Sequence, residues 1–262
     1  FPPPPALPAS VASRGLGDVY KRQVLHDDFL PGAFLAPTEK ALPNASKLEL
    51  AMGDITNGFD EADIVIEREF TTETVHQGYI ETHIVTAQWG ANGMVTVWTT
   101  TQGQFAIRDQ LALVLEIPMS AITVIPLEIG GGFGGKLPCY LEPLAALLSK
   151  QSGSPVKMHM TRAEVIEASG PTCGSLIKAK IGVDRTGKIT AAKAELYFEA
   201  GAFPGSPVGG ATACMLSPYD IKNLKLDGYD VVDNKPKTTA YRAPGAPNAA
   251  FGAEKALSLI HI

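Results

Sequence analysis

The chain has few cysteines, no excess of basic residues and no long apolar run. Its 262 residues include only Cys139, Cys173 and Cys214, whose spacing fits neither a zinc site nor a disulfide framework. It carries 22 basic against 27 acidic residues, so the basic stripe typical of nucleic-acid binding is not expected. No apolar run approaches the roughly 18 residues that a membrane span needs. We therefore expect a reduced, cytoplasmic protein, whose 45% hydrophobic content allows a sizeable core in one or two domains.

Two hexapeptides near the ends of the chain do not resemble natural protein sequence. Residues 18–23 (DVYKRQ) and 257–262 (LSLIHI) can be encoded by DNA strings that are reverse complements of each other. These strings resemble the inverted transposon end used to build sequencing libraries. We therefore predict that residues 1–23 and 257–262 are translated adapter or spurious sequence, and exclude them from fold reasoning. The alternative for residues 1–17 is a proline-rich N-terminal tail. On this prediction, residues 24–256 are a fragment of a longer protein.

The rest of the chain alternates between strand-like and helix-like patterns. Residues 24–59 contain Pro31, Pro37 and Pro43 and are predicted to form an irregular connecting arm. Runs rich in β-branched residues predict strands, and apolar residues three and four apart predict helices. The predicted strands are 64–70, 84–88, 94–100, 122–129 and 156–160, with a hairpin of 176–183 and 189–199; the predicted helices are 106–115, 140–149 and 162–168. The remainder is predicted to be extended or looped, which gives an α+β pattern without internal repeats.

A glycine-rich segment, Gly130–Lys136 (GGGFGGK), follows the predicted strand 122–129. Five glycines in seven positions allow positive φ angles and a close approach of the backbone to a ligand. The segment fits the dinucleotide fingerprint GxGxxG, although Pro138 delays the next helix and no acidic residue closes the next strand. It also fits a P-loop up to the lysine, but Leu137 stands where Ser or Thr would hold magnesium. Four interpretations of the segment remain at this point. It is a turn whose amides bind a cofactor, a nicotinamide-binding loop, a P-loop or a purely structural turn.

Several separate motifs, taken in order, resemble the molybdenum-binding subunit of the xanthine dehydrogenase/aldehyde oxidase family. The ordered set is Gln102, then Gly130–Lys136, then residues 240–247 (AYRAPGAP); supporting segments are 76–82 (HQGYIET), 100–102 (TTQ), 140–143 (YLEP) and 156–162. The resemblance extends over about residues 53–255. It implies that residues 60–256 form the first half of that family's α+β molybdenum-cofactor-binding domain, and that the partner half lies outside this chain.

The resemblance implies a cofactor-binding role for five positions. Gln102 corresponds to a glutamine whose side-chain amide reaches an oxygen on molybdenum. Phe133 corresponds to a phenylalanine whose backbone amide donates to the same centre, with Gly132 and Gly134 beside it. Arg242 corresponds to an arginine that supports the metal and the pterin. Such donors suit an oxo-metal centre with an anionic dithiolene, because they stabilise charge without acting as metal ligands.

The chain departs from the purine and carbon monoxide members of that family at positions expected to meet the substrate. Leu137 stands where purine hydroxylases carry glutamate, Pro244 where an aromatic residue stacks on the purine, and Gly210 near their substrate-binding arginine. Ala243 stands where carbon monoxide dehydrogenases carry cysteine. Leu137, Ala243 and Pro244 thus suggest an apolar substrate pocket. The expected small-molecule substrate is an aldehyde or an N-heteroaromatic compound rather than xanthine or carbon monoxide.

By the same resemblance, the parent protein is a molybdenum hydroxylase that introduces oxygen derived from water. Its cofactor is molybdopterin, with molybdopterin cytosine dinucleotide as a plausible form, and its electrons pass to Fe–S clusters and FAD on other domains or subunits. The general-base glutamate is expected beyond the C-terminus, so no catalytic residue is assigned and the fragment alone is expected to be inactive. The alternatives are a non-catalytic scaffold of the same fold and a protein that binds a nicotinamide dinucleotide through Gly130–Gly135.

Two further groups of residues suggest other chemistry. His76, Glu81 and His83 are candidate zinc ligands, but they lack the usual spacing, and strand parity separates His76 from the other two. Cys139 lies beside the glycine-rich segment and is either a reactive thiol or a small packing residue. Packing is the favoured interpretation, because free cysteine is often simply buried.

Overall fold

The computed structural model describes residues 45–262, so the predictions for residues 1–44 lie outside the described residues. The described residues form two compact units. The five-stranded unit contains residues 45–74, 173–238 and 243–262, and the four-stranded unit contains residues 75–172 and 239–242. None of the helices described in these ranges combines the length and hydropathy that crossing a membrane requires.

The five-stranded unit is built on one mixed sheet. Its elements are β1 (Ala45–Met52), α1 (Ile55–Asp60), β2 (Ile64–Thr72), β7 (Ser175–Val183), β8 (Ile189–Gly201), α5 (Val208–Cys214), β9 (Leu224–Val232) and α6 (Ala246–His261). The strand order is β1-β9-β8-β7-β2. All neighbours are antiparallel except β8 and β9, which are parallel and are joined through α5.

Alternation along β7 explains how this sheet buries one face. Ile177 and Ile181 are buried in the core, on which α5 and α6 pack. Lys178 lies on the other face and pairs with Glu69 of β2 at 2.9 Å. Gly252 lets α6 approach β7 closely, since a Cβ there would lie 2.7 Å from Ile177 Cγ2. The period of two thus assigns one face to α5 and α6 and the other to ion pairs, beside which Phe59 of α1 lies against Lys180.

The four-stranded unit is a second, smaller sheet with two helices packed on it. Its elements are β3 (Ile84–Trp89), β4 (Val95–Thr99), α2 (Gln104–Leu115), β5 (Ile122–Pro126), α3 (Glu142–Ser152), β6 (Val156–His159) and α4 (Arg162–Ala168). The order is β5-β4-β3-β6, with β4 and β5 parallel across α2 and the other pairs antiparallel. Val85 and Val97 of the sheet pack with Ile107 and Leu111 of α2 and Ala146 of α3.

Most of the predicted elements are confirmed. The hairpin of β7 and β8, strands β3 and β4, and helix α4 lie where the sequence places them. Helix α4 begins with a reciprocal capping box between Thr161 and Glu164, a local signal that fixes its start. The mixed α and β content agrees with the predicted α+β class.

Three predictions about individual segments are wrong. Residues 45–59 of the supposed irregular arm form β1 and most of α1, because β1 pairs with β9 along its whole length. The strand predicted over 122–129 ends at Pro126, because the ladder stops where its partner β4 ends at Thr99. Residues 246–256 form most of α6, although the sequence predicts them to be extended or looped; Pro247 is tolerated there because it lies in the first helical turn.

Candidate functional site

The glycine-rich segment forms a tight left-handed turn in the four-stranded unit. The amide of Gly135 donates to the carbonyl of Gly132 at 2.7 Å, which closes a four-residue turn. Both central residues have positive φ, +51° at Phe133 and +105° at Gly134. Positive φ at both centres is the requirement of a type I′ turn, and a left-handed conformation costs a residue with a Cβ about 1–2 kcal/mol. Phe133 is therefore held in a conformation that its own backbone does not favour.

Gln102 is bound to this turn through both its backbone and its side chain. Its backbone amide donates to the carbonyl of Lys136 at 3.0 Å, and its side-chain Oε1 accepts from the amides of Gly134 at 2.8 Å and Lys136 at 3.2 Å. Because two backbone donors can face only an acceptor, these contacts determine which end of the amide is oxygen. The Nε2 group makes no hydrogen bond with any residue in 45–262 and keeps both donors free.

A second segment, residues 239–242, joins the turn within the same unit. The amide of Arg242 donates to the carbonyl of Phe133 at 2.8 Å. Gly134 packs so closely on this segment that a Cβ would lie 2.5 Å from the carbonyl oxygen of Ala240. The side chain of Gln77 donates to Ala240 O at 3.1 Å and to Thr239 Oγ1 at 2.8 Å. The structure therefore brings together Gln102, the turn and Arg242, which are far apart in sequence.

An ion pair between Lys136 and Glu81 supports the turn. Lys136 has a fully buried side chain, and its Nζ lies 2.6 Å from Glu81 Oε2. The same oxygen accepts the amide of Gly130 at 2.8 Å. Burial opposes ionisation of Glu81, but the hydrogen bonds from Lys136 and Gly130 outweigh it, so its pKa is held below the usual range.

The candidate zinc ligands are engaged with protein groups instead. The Glu81 carboxylate accepts hydrogen bonds from Gly130 and Lys136. His83 is buried and its Nε2 lies 2.8 Å from the hydroxyl of Tyr79; burial, reinforced by the charge of Lys136, lowers the pKa of His83 to about 4. His76 contacts Ser169 through Nε2 at 3.3 Å. Within residues 45–262 no group of three His, Cys, Asp or Glu side chains is arranged to hold a metal ion.

The residues predicted to face the substrate are divided between the two units. Leu137 is partly exposed and belongs to the four-stranded unit, where its Cδ2 lies 3.3 Å from the position of a Cβ on Gly103. Ala243 and Pro244 belong to the five-stranded unit. Both are exposed, and Ala243 has a positive φ of +56°. Gly210 of the same unit would place a Cβ 3.3 Å from the carbonyl oxygen of Pro244.

The nicotinamide and P-loop interpretations are not favoured by this geometry. Both require a helix that starts at the loop and directs its N-terminus at phosphate. Here α3 begins only at Glu142, and irregular residues separate it from Lys136. Cys139 is half-buried, packs against the core of the four-stranded unit, and has its pKa raised by burial and by the charge of Glu142. These features fit a packing residue rather than a reactive thiol.

Sequence reasoning does not assign roles to the residues that hold the turn in place. Gln77 and Tyr79 enter it only as parts of a supporting segment, and Lys136 only as the end of the glycine-rich segment. Glu81 enters it as part of the same supporting segment and as a candidate zinc ligand, not as a partner of Lys136. The available signal was a lysine directly after a glycine run together with a glutamate in a second motif of the same ordered set. Their pairing depends on a contact between positions 55 residues apart, which no local pattern reveals.

Comparisons with known proteins show the family of this chain. A family model described as the molybdopterin cofactor-binding domain matches residues 38–260. The nicotinate dehydrogenase large molybdopterin subunit of Eubacterium barkeri is 30% identical over 204 residues, covering 77% of this chain and 48% of that protein. A probable xanthine dehydrogenase subunit of Bacillus subtilis (strain 168) is 31% identical over 232 residues, covering 82% of this chain and 31% of that protein.

Solved structures show the same fold. Reconstituted CO dehydrogenase from Oligotropha carboxidovorans matches with a TM-score of 0.74 at 28% identity, over 82% of this chain and 28% of that one. The predicted fold class is thereby confirmed. The chain spans about half or less of the length of each of these proteins.

Proposed function

This chain belongs to the family of molybdopterin cofactor-binding domains, and we propose on that basis that its parent is a molybdenum hydroxylase of the xanthine dehydrogenase/aldehyde oxidase family. The curated relatives named above are themselves described as a molybdopterin subunit and a xanthine dehydrogenase subunit. The proposed reaction oxidises a small organic substrate with oxygen derived from water. We further propose that the site formed by Gln102, the glycine-rich turn and Arg242 is where the molybdopterin binds.

The observation that carries this proposal is a set of free hydrogen-bond donors around one turn. The amides of Gly131, Gly132 and Phe133 donate to no acceptor within residues 45–262, and neither does Nε2 of Gln102. The guanidinium of Arg242 is exposed and adds a fixed positive charge. A donor-only set of this kind suits the oxygens of an anionic oxo-metal cofactor. It offers no thiolate, imidazole or carboxylate that would compete as a metal ligand.

The role proposed for these residues is to bind and orient rather than to react. When bound, the cofactor supplies a centre that accepts two electrons from the substrate carbon. The turn and Gln102 provide donors whose positions are set before binding, so that little reorganisation is needed. The general-base glutamate, the Fe–S clusters, FAD and the second half of the domain are proposed to lie in other parts of the parent protein or in partner subunits. We therefore expect the 262-residue chain alone to be inactive and to bind cofactor weakly.

The proposed substrate is an aldehyde or an uncharged N-heteroaromatic compound. Leu137, Ala243 and Pro244 are apolar or small, and each lacks the group by which purine or carbon monoxide enzymes of the family are expected to recognise their substrate. An apolar residue cannot provide the hydrogen bonds that select a purine, and losing such bonds changes discrimination by large factors. The name of the Eubacterium barkeri relative, a nicotinate dehydrogenase, supports an N-heteroaromatic ring as substrate; nicotinate carries a carboxylate, so the expectation of an uncharged compound rests on Leu137, Ala243 and Pro244 alone.

The test is turnover by the complete parent protein, produced with its partner subunits. Benzaldehyde, quinoline, nicotinate and xanthine are supplied separately with an artificial electron acceptor. We expect turnover of benzaldehyde or quinoline with incorporation of oxygen from labelled water, and no turnover of xanthine. Gln102→Ala is expected to lower kcat by about a hundredfold, as loss of one preorganised donor does. The exposed Gln151→Ala serves as the control and is expected to be neutral. Turnover of xanthine alone would refute the substrate assignment.

A further inference from the structure

A buried ion pair links the two ends of the glycine-rich turn. Glu81 Oε2 accepts from Gly130 N at 2.8 Å, at the start of the segment, and from Lys136 Nζ at 2.6 Å, at its end. The backbone amide of Glu81 donates in return to Gly130 O at 3.2 Å. The Lys136 side chain is fully buried, whereas that of Glu81 is 25% exposed. One carboxylate therefore touches both ends of the glycine-rich segment.

This ion pair is expected to contribute little to the stability of the fold but to restrict strongly where the Lys136 side chain can lie. Moving a lysine ammonium out of water is costly, and a buried ion pair often does no better than apolar side chains of equal size. The ring of Tyr79 lies 5.2 Å from Lys136 Nζ, which adds a cation–π contact that constrains where the ammonium sits. A charge with one carboxylate and one aromatic ring as partners has few alternative positions. The Lys136 backbone is consequently held in place by its own side chain.

The Lys136 backbone in turn holds Gln102. Its carbonyl accepts from the Gln102 amide at 3.0 Å and from Thr101 Oγ1 at 3.0 Å, and its amide donates to Gln102 Oε1 at 3.2 Å. A displacement of Lys136 would therefore move the side chain whose Nε2 is free to meet a ligand. The same displacement would relax the turn in which Phe133 has its unfavourable positive φ.

We propose that Glu81 and Lys136 are positioning residues that clamp the glycine-rich turn in its strained, donor-presenting form before any cofactor binds. The Glu81–Lys136 clamp rests on the proposed function only for the identity of the ligand, because the geometry that it fixes exists without one. Neither side chain needs to touch the cofactor or the substrate. Their effect is transmitted through Gly130 at one end and through the backbone of Lys136 to Gln102 at the other.

The test uses the double variant Glu81→Met/Lys136→Met in the full chain. It removes both charges, so no unpaired buried charge is left, and it keeps similar side-chain volumes. The control, Glu69→Met/Lys178→Met, removes an ion pair of 2.9 Å that lies on an exposed sheet face. Amide hydrogen exchange of Gly134 and Lys136 reports the turn directly, because both amides donate to Gln102. Tryptophan fluorescence during thermal unfolding reports the stability of the four-stranded unit, in which Trp89 and Trp98 lie.

The expected result separates positioning from general stability. The double variant should melt within a few degrees of the wild type, while the Gly134 and Lys136 amides exchange at least about tenfold faster. The control should leave both amides unchanged. If exchange at these amides stays at the wild-type rate, or rises only as much as at the remote Ile177, the clamp is refuted. If the double variant does not fold, Glu81→Gln, which keeps the shape and an acceptor oxygen, is judged by the same comparison of Lys136 with Ile177.

Molybdenum content of the complete parent protein distinguishes this inference from the proposed function. Faster exchange in the double variant of this chain, together with a wild-type parent that contains no molybdenum, would keep the clamp and refute the cofactor assignment. A molybdenum-containing parent whose double variant retains both its metal and slow exchange would keep the cofactor assignment and refute the clamp. If the clamp and the cofactor assignment are both correct, the double variant of the parent should retain less than about a third of the wild-type molybdenum. The reason is that a disordered turn lowers the fraction of molecules that can bind the cofactor.

Discussion

Replacing Gly134 by alanine should disrupt the candidate site through a single added methyl group. Gly134 has a φ of +105°, a conformation that residues with a Cβ rarely adopt. The added Cβ would lie 2.5 Å from the carbonyl oxygen of Ala240 and 2.7 Å from its carbonyl carbon. Both of these contacts are with backbone atoms, so no flexible side chain can move aside. The substitution therefore forces the glycine-rich turn and residues 239–242 apart.

The magnitude follows from two separate costs. A left-handed conformation costs an alanine about 1–2 kcal/mol relative to glycine. Overpacking against a fixed neighbour adds about 1–3 kcal/mol. The expected loss in free energy of unfolding is therefore about 2–5 kcal/mol. Trp89 and Trp98 are the two tryptophans of the chain and lie in β3 and β4, so urea unfolding followed by tryptophan fluorescence reports the four-stranded unit.

Gly93→Ala is the matched control for this experiment. Gly93 lies in the same unit with a φ of +80°, but a Cβ there would meet nothing within 4 Å. Gly93→Ala should lose only the cost of the left-handed conformation, about 1–2 kcal/mol of the free energy of unfolding. An equal loss for Gly134→Ala and Gly93→Ala would show that the two segments do not pack as described. The reasoning about close approach would then be refuted.

Three further predictions concern other parts of the chain. Asp233 is buried and its carboxylate oxygens have no hydrogen-bond partner within residues 45–262; burial, reinforced by the charge of Glu199, raises its pKa to about 6. Above about pH 4, Asp233 therefore keeps a proton in the folded protein that it releases in the unfolded chain. The free energy of unfolding consequently falls as pH rises through 6. Asp233→Asn should gain up to about 3 kcal/mol over wild type between pH 4 and pH 7.5 in urea unfolding, and a flat difference would contradict this. Gly252→Ala should destabilise by about 1–3 kcal/mol despite the better helix propensity of alanine, because the methyl group meets Ile177; a gain in melting temperature would contradict the packing of α6. Cys139 should be alkylated at pH 7.5 much more slowly in the native chain than in urea, since burial raises the pKa of its thiol, and equal rates would contradict that burial.

Local signals explain which elements the sequence could predict. The capping box at Thr161 and Glu164 fixes α4, and two strand-like runs on either side of the polar residues 184–187 indicate the β7–β8 hairpin. The sequence does not predict helix α6, because Pro247 and Gly252 are residues that usually interrupt a helix. In the structure Pro247 occupies the first turn, where a proline is tolerated, and Gly252 allows contact with Ile177. The sequence does not predict strand β1, because its pairing with β9 joins segments far apart in sequence.

The candidate site divides in the same way. The sequence predicts Gln102, the glycine-rich turn and Arg242 as site residues, because the motifs that carry them occur in a characteristic order. Their hydrogen bonds to one another are a property of the folded chain, since Gln102 and Gly134 are 32 residues apart. The supporting contacts of Gln77 and of the Glu81–Lys136 clamp could not be predicted, because no local spacing brings a glutamate to a lysine 55 residues away. The sequence therefore predicts the residues of the site, and the structure shows which other residues hold them in place.

Molybdenum and pterin content of the complete parent protein tests the central claim most directly. Wild type, Gly134→Ala and Gly93→Ala are purified with their partner subunits, checked for folding by circular dichroism, and measured by metal mass spectrometry and by release of the pterin. The account predicts about one molybdenum and one pterin per subunit in the wild type and in Gly93→Ala. It predicts less than about a tenth of that in folded Gly134→Ala, because the turn can no longer present its donors. A folded wild-type protein without molybdenum and pterin, or a Gly134→Ala variant that retains both in full, would contradict the assignment of this turn as the cofactor site.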